Sequence, residues 1–201
     1  MVDGIAIECT ITFLNEIAAL TETRHRNIVK LHGFSSSGKH AFLVYEFMEK
    51  GSLADMLRSD EEAIELDWPK RVEFVKGVAQ ALSYLHHDCV PPVIYQDISS
   101  KNVLMCSNLE ARVSDFGTAK ILEPDASNWT AFAGTYGYAA SELACTMALT
   151  EKSDVYSFGF LVLEVLIRKH PGDLISKIQA QYVESINIKD ILDSRLPSSI
   201  A

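Results

Sequence analysis

Paired cysteines, positive charge and long apolar runs are all scarce in this chain. Four cysteines, Cys9, Cys89, Cys106 and Cys145, stand far apart in 201 residues, and no two form a C-x-x-C pair. A disulfide framework or a zinc site needs closer pairing, so the expectation is reduced thiols in a cytosolic setting. Lysine and arginine number 18 against 27 aspartates and glutamates, a formal net charge of -9. That balance excludes a whole-chain basic face for nucleic acid. The opening MVDGIAIECT has no basic leader and no long apolar run, which argues against a signal peptide. The longest apolar stretch, Val155 to Ile167, is too short to cross a bilayer and contains Glu164, so no membrane segment is expected. Apolar residues as a class are plentiful at 48%, enough to fill an interior and to exclude a disordered chain.

Periodicity sketches the elements. Phe13, Ile17 and Leu20 recur at helical spacing and predict a helix over about residues 11 to 23. Ile28 to Phe34 and Ala41 to Phe47 read as antiparallel strands around an SSSGKH loop. Leu53 to Leu57 reads as a short helix and the acidic run Asp60-Glu61-Glu62 as a solvated loop. Asp67 before Trp68-Pro69 is a helix start, followed by an apolar stripe of Val72, Val75, Val78, Leu82 and Leu85. His86 and His87 follow as complements to that helix's negative end. Short strands are expected at Val93-Ile94, Val103-Leu104 and Ala111 to Val113. A long Gly/Ser/Thr/Ala-rich loop follows from Asp115 to Met147, of a length that is usually functional. Val155 to Ile167 reads as a central buried helix, and Leu174 to Leu196 as weak helix and loop.

The chemistry lies in an ordered set of short strings. Asp97 is followed five residues later by Asn102, then by Asp115-Phe116-Gly117, Ala140-Ser141-Glu142, and Asp154 at the head of the apolar helix. Each string alone is common; their joint order is not. Phosphoryl transfer needs a carboxylate beside the attacking hydroxyl and hard oxygen ligands for metal ions that bridge the phosphates. Asp97 suits the first role; Asn102 and Asp115 suit the second. Gly117 lets the backbone turn after the metal ligand.

Residues 13 to 173 resemble the kinase domain of plant leucine-rich-repeat receptor-like serine/threonine kinases. The strings RHRNIVKLHGF, FLVYEFMEKGSL, ALSYLHHDC, SSKNVL, VSDFGTAKIL, FAGTYGYAA, EKSDVYSFG and KHPGD carry the likeness. The resemblance implies an α+β, protein-kinase-like fold with a partial N-lobe over 1–48 (one helix, two strands) and a mostly helical C-lobe over 49–201. It implies ATP and Mg2+ as cofactors and a protein substrate or partner kinase. Asp97 becomes the catalytic-base position and Lys101 a further catalytic candidate. Asn102 and Asp115 become metal ligands. Glu16 becomes the helix glutamate that pairs with the ATP-binding lysine, Tyr45 the gatekeeper, Glu46 to Met48 the adenine-binding hinge and Leu104 the pocket floor. Leu20, Leu31, Tyr95 and Phe116 become an apolar spine. Asp115, Phe116, Gly117, Ser127, Thr130, Thr135 and Glu142 fall in the activation loop, with Ser127, Thr130 and Thr135 as candidate phosphosites. Asp154 is expected to bind the catalytic-loop backbone.

The chain departs from that family in several places. No Gly-rich loop occurs near the start and no lysine precedes Lys30, so Glu16 is expected to lack its lysine. The family's His-Arg-Asp reads Tyr95-Gln96-Asp97, which removes a cation that meets a phosphorylated loop. Ser99 stands two residues after Asp97, where many serine/threonine kinases have lysine, and Lys101 stands four after. Ser141 replaces a proline. The family's last helices, which carry the arginine partner of Glu142, are expected to be missing, and Arg195 is not expected to replace it. Three readings follow: a receptor-like serine/threonine kinase, weak or inactive in this truncated chain; a pseudokinase-like binding module; or a non-functional gene fragment. The expected location is cytoplasmic, or the cytosolic side of the plasma membrane within a full-length receptor.

Overall fold

The computed structural model describes residues 2–37, 40–122, 135, 137–138, 149–179 and 191–197, with side chains described from residue 11 onward except at 179. Helix α1 is Val2–Glu22, starting well before residue 11. The Phe13, Ile17, Leu20 spacing marks the buried face, yet the preceding residues contain no proline, so nothing local stops the helix there. At its end the Thr23 hydroxyl donates to the Ala19 carbonyl at 2.8 Å.

Strands β1 (Leu31–Ser37) and β2 (His40–Tyr45) pair antiparallel, with Phe34 opposite Leu43. The serines read as a loop are part of this ladder, Ser35 opposite Phe42 and Ser36 opposite Ala41. They are exposed there, and a solvated strand tolerates polar side chains. Ile28, read as the start of the first strand, instead forms a parallel bridge with Val113. Val113 N donates to Asn27 O and Val29 N to Val113 O, both at 2.9 Å, so the segment after α1 is stitched to the other half of the molecule.

Three helices begin that half. The Ser52 hydroxyl caps α2 (Leu53–Arg58) by accepting from Asp55 N, and Ser59 caps α3 (Asp60–Glu65) by accepting from Glu62 N. The acidic run is therefore the first turn of a helix, where negative charge meets the positive end of the dipole. Asp67 caps α4 (Trp68–Ser83), accepting from Lys70 N at 3.0 Å, with Pro69 in the first turn. The buried face of α4 holds Arg71, Phe74, Val78, Ala81 and Leu82, whereas Val72 is 51% exposed. The predicted stripe is thus rotated, because Arg71 has buried polar partners that the apolar pattern does not reveal. A π-helical turn, Tyr84–Asp88, extends α4.

Two short antiparallel pairs follow. Strand β3 (Val93–Ile94) pairs with β6 (Lys120–Ile121), and β4 (Val103–Met105) with β5 (Ala111–Val113). Helix α5 (Glu151–Ile167) buries Phe160, Leu161 and Val165, but Val155 is exposed. Helix α6 is Gly172–Gln179. One apolar cluster joins Leu20 of α1, Phe74 and Val78 of α4, Tyr95, Phe116 and Leu161, with Leu31 packed against it. Each such large side chain contributes roughly 1.5–3 kcal/mol on burial. That continuity holds the loops bearing Asp97 and Asp115 against both halves.

Candidate active site

Asp154, fully buried in the first turn of α5, anchors the loop after β3. Its Oδ2 accepts from Tyr95 N at 2.8 Å and its Oδ1 from Gln96 N at 2.7 Å. His86 Nε2 lies 2.8 Å from the same Oδ2, so this histidine packs on a carboxylate rather than idling at a helix end. The anchoring matters because Gln96 has φ 74°, a left-handed conformation that costs a side-chain-bearing residue energy unless its surroundings impose it. Gln96 Nε2 also donates to Thr118 O at 2.5 Å, tying this loop to the one after Asp115.

Asp97 follows directly. Its Oδ2 accepts from Asn102 Nδ2 at 2.8 Å, and its Oδ1 accepts from both the amide and the hydroxyl of Thr135 at 2.6 Å. Asn102 is fixed in turn: its carbonyl accepts from Ser114 N and Ser114 Oγ, both at 2.9 Å. The residue after Ser114 is Asp115, held at φ 57°. The structure thus brings Asp97, Asn102 and Asp115 into one neighbourhood. No metal-ligating group of three or more His, Cys, Asp or Glu occurs among the described residues. Asn102 and Asp115 are hard oxygen donors of the kind that suits Mg2+, and two such donors would leave most of a six-oxygen shell to other groups.

Helix α1 closes the back of this neighbourhood. Glu16 Oε1 accepts from the Tyr45 hydroxyl and, at 3.3 Å, from Phe116 N. Asn15 Nδ2 donates to Gly117 O at 3.3 Å. Glu16, expected to lack its partner, is therefore satisfied by a phenol and an amide, as a buried carboxylate requires. Burial raises its carboxyl above the ordinary range against the opposing Tyr45 hydrogen bond, and the Asp115 charge adds to the rise. Burial and the Glu16 carboxylate push the Tyr45 hydroxyl far up, so it stays a donor. Phe116 is fully buried and meets the Tyr95 ring edge-on at 5.0 Å between centroids.

A cleft of about 660 Å³ is lined by Glu16, Tyr45, Glu46, Met48, Leu104 and Asp115. It gathers all of the positions that the resemblance assigns to nucleotide. Glu46 is set by Lys30, whose amide donates to Glu46 Oε1 at 2.9 Å and whose carbonyl accepts from Glu46 N at 3.0 Å. Lys101 lines a separate cleft beside Thr135. Ser127, Thr130 and Glu142 lie outside the described residues. The guanidinium of Arg195 is committed to Asp193 at 2.7 Å and Asp60 at 3.2 Å. Sequence reasoning missed the His86–Asp154 contact and the Tyr138–Glu164 hydrogen bond. No local pattern announces them, since their partners are 68 and 26 residues apart.

A bilobed core with a carboxylate, an asparagine and a second aspartate beside a nucleotide-sized cleft is the architecture of protein kinases. The family model for the protein kinase domain matches residues 5–200, and the chain belongs to that family. Among curated relatives, it is 59% identical over 186 residues to MDIS1-interacting receptor like kinase 2 of Arabidopsis thaliana. It is 58% identical over 184 residues to a probable leucine-rich repeat receptor-like protein kinase of the same plant. Each match covers 92% of this chain but only 18% and 16% of the relatives. A shorter receptor-like serine/threonine-protein kinase of that plant is 46% identical over 162 residues, covering 80% of this chain and 45% of the relative. Among the described residues no helix is long and apolar enough to cross a membrane.

Proposed function

We propose that this domain transfers the γ-phosphoryl group of ATP to serine or threonine hydroxyls of proteins. The observation that carries the reading is Asp97, held through both carboxylate oxygens by Asn102 and Thr135. Mg2+-ATP, when bound, supplies the phosphoryl group and the charge neutralisation that this chemistry requires. Glu46, Met48 and Leu104 receive the adenine, and Asn102 and Asp115 offer oxygen ligands to the ion. Asp97 orients the acceptor hydroxyl and takes its proton, a contribution of typically about 10²–10⁴-fold. Within a longer receptor the domain would act on the cytosolic side of the plasma membrane, on a protein substrate or a partner kinase.

The test is phosphate incorporation into a generic protein substrate by the purified chain and its Asp97→Asn variant. Loss of at least about 10²-fold is expected; unchanged incorporation overturns the assignment. A second reading, a pseudokinase-like module that docks on other proteins, is favoured by one observation: the Tyr45 hydroxyl already occupies Glu16 Oε1. A thermal melt separates the two. Mg2+-ATP at about 100-fold above its Kd adds roughly 2.7 kcal/mol, an upward shift of several degrees. A cooperative melt that ignores nucleotide supports the module.

A further inference from the structure

Thr135, which holds Asp97 through its amide and hydroxyl, also lines a second cleft of about 470 Å³. Four cations line it, Arg58, Lys101, Arg168 and Lys169, against one carboxylate, Glu164. This concentration runs against a chain whose formal net charge is -9. Glu164 is engaged already: it accepts from Ser100 Oγ at 3.0 Å and from the Tyr138 hydroxyl. Burial pushes that hydroxyl well above the usual phenol range, and the bond to Glu164 adds to the rise, so it remains a donor. Arg58 and Arg168 are paired with Asp55 at 3.1 Å and Asp60 at 2.7 Å. Lys101 and Lys169 have no hydrogen-bond or ion-pair partner among the described residues. The two arrive from different elements. Lys101 lies four residues after Asp97, and Lys169 follows Arg168, whose left-handed φ of 70° ends α5.

A second observation points the same way. Ser99 lines this cleft, is 1% exposed, and its Oγ is buried with no partner among the described residues. A buried hydroxyl without a partner carries a desolvation cost, which a ligand acceptor relieves. Unpaired ammonium groups in a cleft with low-dielectric walls focus positive potential on whatever enters.

Resting on the phosphotransfer reading, we propose that this cleft selects protein substrates whose acceptor hydroxyl is flanked by an anionic side chain. The shared chemistry is a negatively charged oxygen group, either the carboxylate of Asp or Glu or the phosphate of a residue phosphorylated earlier. Lys101 and Lys169 attract the anion, Ser99 Oγ donates to it, and Thr135 couples the occupied cleft to Asp97.

The test measures binding apart from catalysis. Fluorescent peptides with alanine at the acceptor position, flanked by glutamate, phosphoserine, glutamine or lysine, are titrated with the full chain and read by anisotropy. The same peptides with serine as acceptor are assayed with Mg2+-ATP. The glutamate or phosphoserine peptide is expected to bind about tenfold or more tightly than the glutamine peptide, with the advantage shrinking at high salt. Gain for phosphoserine alone assigns the cleft to phosphate; gain for both assigns it to anions generally. Arg58→Glu with Lys169→Glu is expected to reverse the order in favour of the lysine peptide. If that double variant loses its cooperative melt, Lys169→Glu alone, at an exposed and unpaired position, replaces it. Equal affinities for the glutamate, phosphoserine and glutamine peptides overturn the inference. Anion-selective binding with no transfer to any serine peptide overturns the phosphotransfer reading and leaves the selective cleft standing.

Discussion

Arg71, in the first turn of α4, and Asp193, 122 residues later, form an ion pair at 2.6 Å with both side chains out of solvent. The guanidinium also donates to the carbonyls of Leu66 at 2.9 Å, Val165 at 2.5 Å and Ala63 at 3.3 Å. Arg195 clamps the other side of Asp193. A cation at the centre of the helical half is thus saturated by a carboxylate and helix-end carbonyls, which together tie α3, α4 and α5 to the segment at 191–197.

Removing the carboxylate exposes the cost of that arrangement. Asp193→Ala leaves the Arg71 charge buried without its counter-ion, and such losses run to about 3–5 kcal/mol. Urea denaturation followed by circular dichroism is expected to show the midpoint falling accordingly. A loss below about 1 kcal/mol would mean that the carbonyls alone satisfy Arg71.

Two carboxylates give opposite pH signatures. Burial alone would raise Asp193, but hydrogen bonds from Arg195 and Arg71 outweigh it and hold the carboxyl well below the usual range. Its stabilisation is complete above the ordinary carboxylate pKa of about 4 and is lost as pH falls below it. Glu16 is shifted upward, mainly by burial. The folded state then keeps a proton that the unfolded state has released, so stability falls as pH rises through the window just above the ordinary value. Melting curves from pH 3 to 7 are expected to lose the first slope in Asp193→Ala and the second in Glu16→Gln.

Gly117 is a tight junction between α1 and the loop after Asp115. A Cβ built there would stand 2.3 Å from Thr12 Cγ2. Gly117→Ala is expected to cost about 1–3 kcal/mol by overpacking. Adding Thr12→Ala should recover much of it, because the double variant removes the colliding methyl. A double-mutant cycle by thermal melting measures the coupling; strict additivity would show that α1 and the loop move apart freely.

Asp154→Asn tests the anchor of the loop bearing Asp97. The amide keeps one acceptor, so one of the two backbone N–H groups of Tyr95 and Gln96 loses its partner at about 1–3 kcal/mol. Hydrogen exchange at those two amides is expected to accelerate by more than at the adjoining β3–β6 pair. Uniform exchange would locate the effect in global stability alone.

Much of the site is legible as chemistry along the chain. Asp97, Asn102 and Asp115 follow from short ordered strings and the hinge positions from the resemblance; the cleft lined by Glu16, Glu46, Met48, Leu104 and Asp115 takes in the hinge and Asp115 but is not lined by Asp97 or Asn102. The Ser52, Ser59 and Asp67 caps involve bonds within three residues, so local sequence contains their cause, although the acidic run obscured the helix after Ser59. What escaped reading is polar and distant. The apolar stripe of Val72, Val75, Val78, Leu82 and Leu85 predicts one face for α4, yet Arg71 sets which face turns inward because its partners at Val165 and Asp193 lie 94 and 122 residues away. His86 looked like a helix-end charge because Asp154 lies 68 residues downstream.

The amino-acid order by itself determined the family, the chain positions of the candidate site carboxylates and the starts of α2 and α4, since each rests on residues that meet within a turn or a short motif. Tertiary structure alone decided which distant polar groups satisfy one another: Glu16 with Tyr45 and Phe116, Asp97 with Thr135, Asp193 with Arg71. Burial makes an unpaired polar group costly, so the fold must close long loops to bring a partner to each. Which partner arrives depends on how the helices pack, and no window of the sequence contains that information.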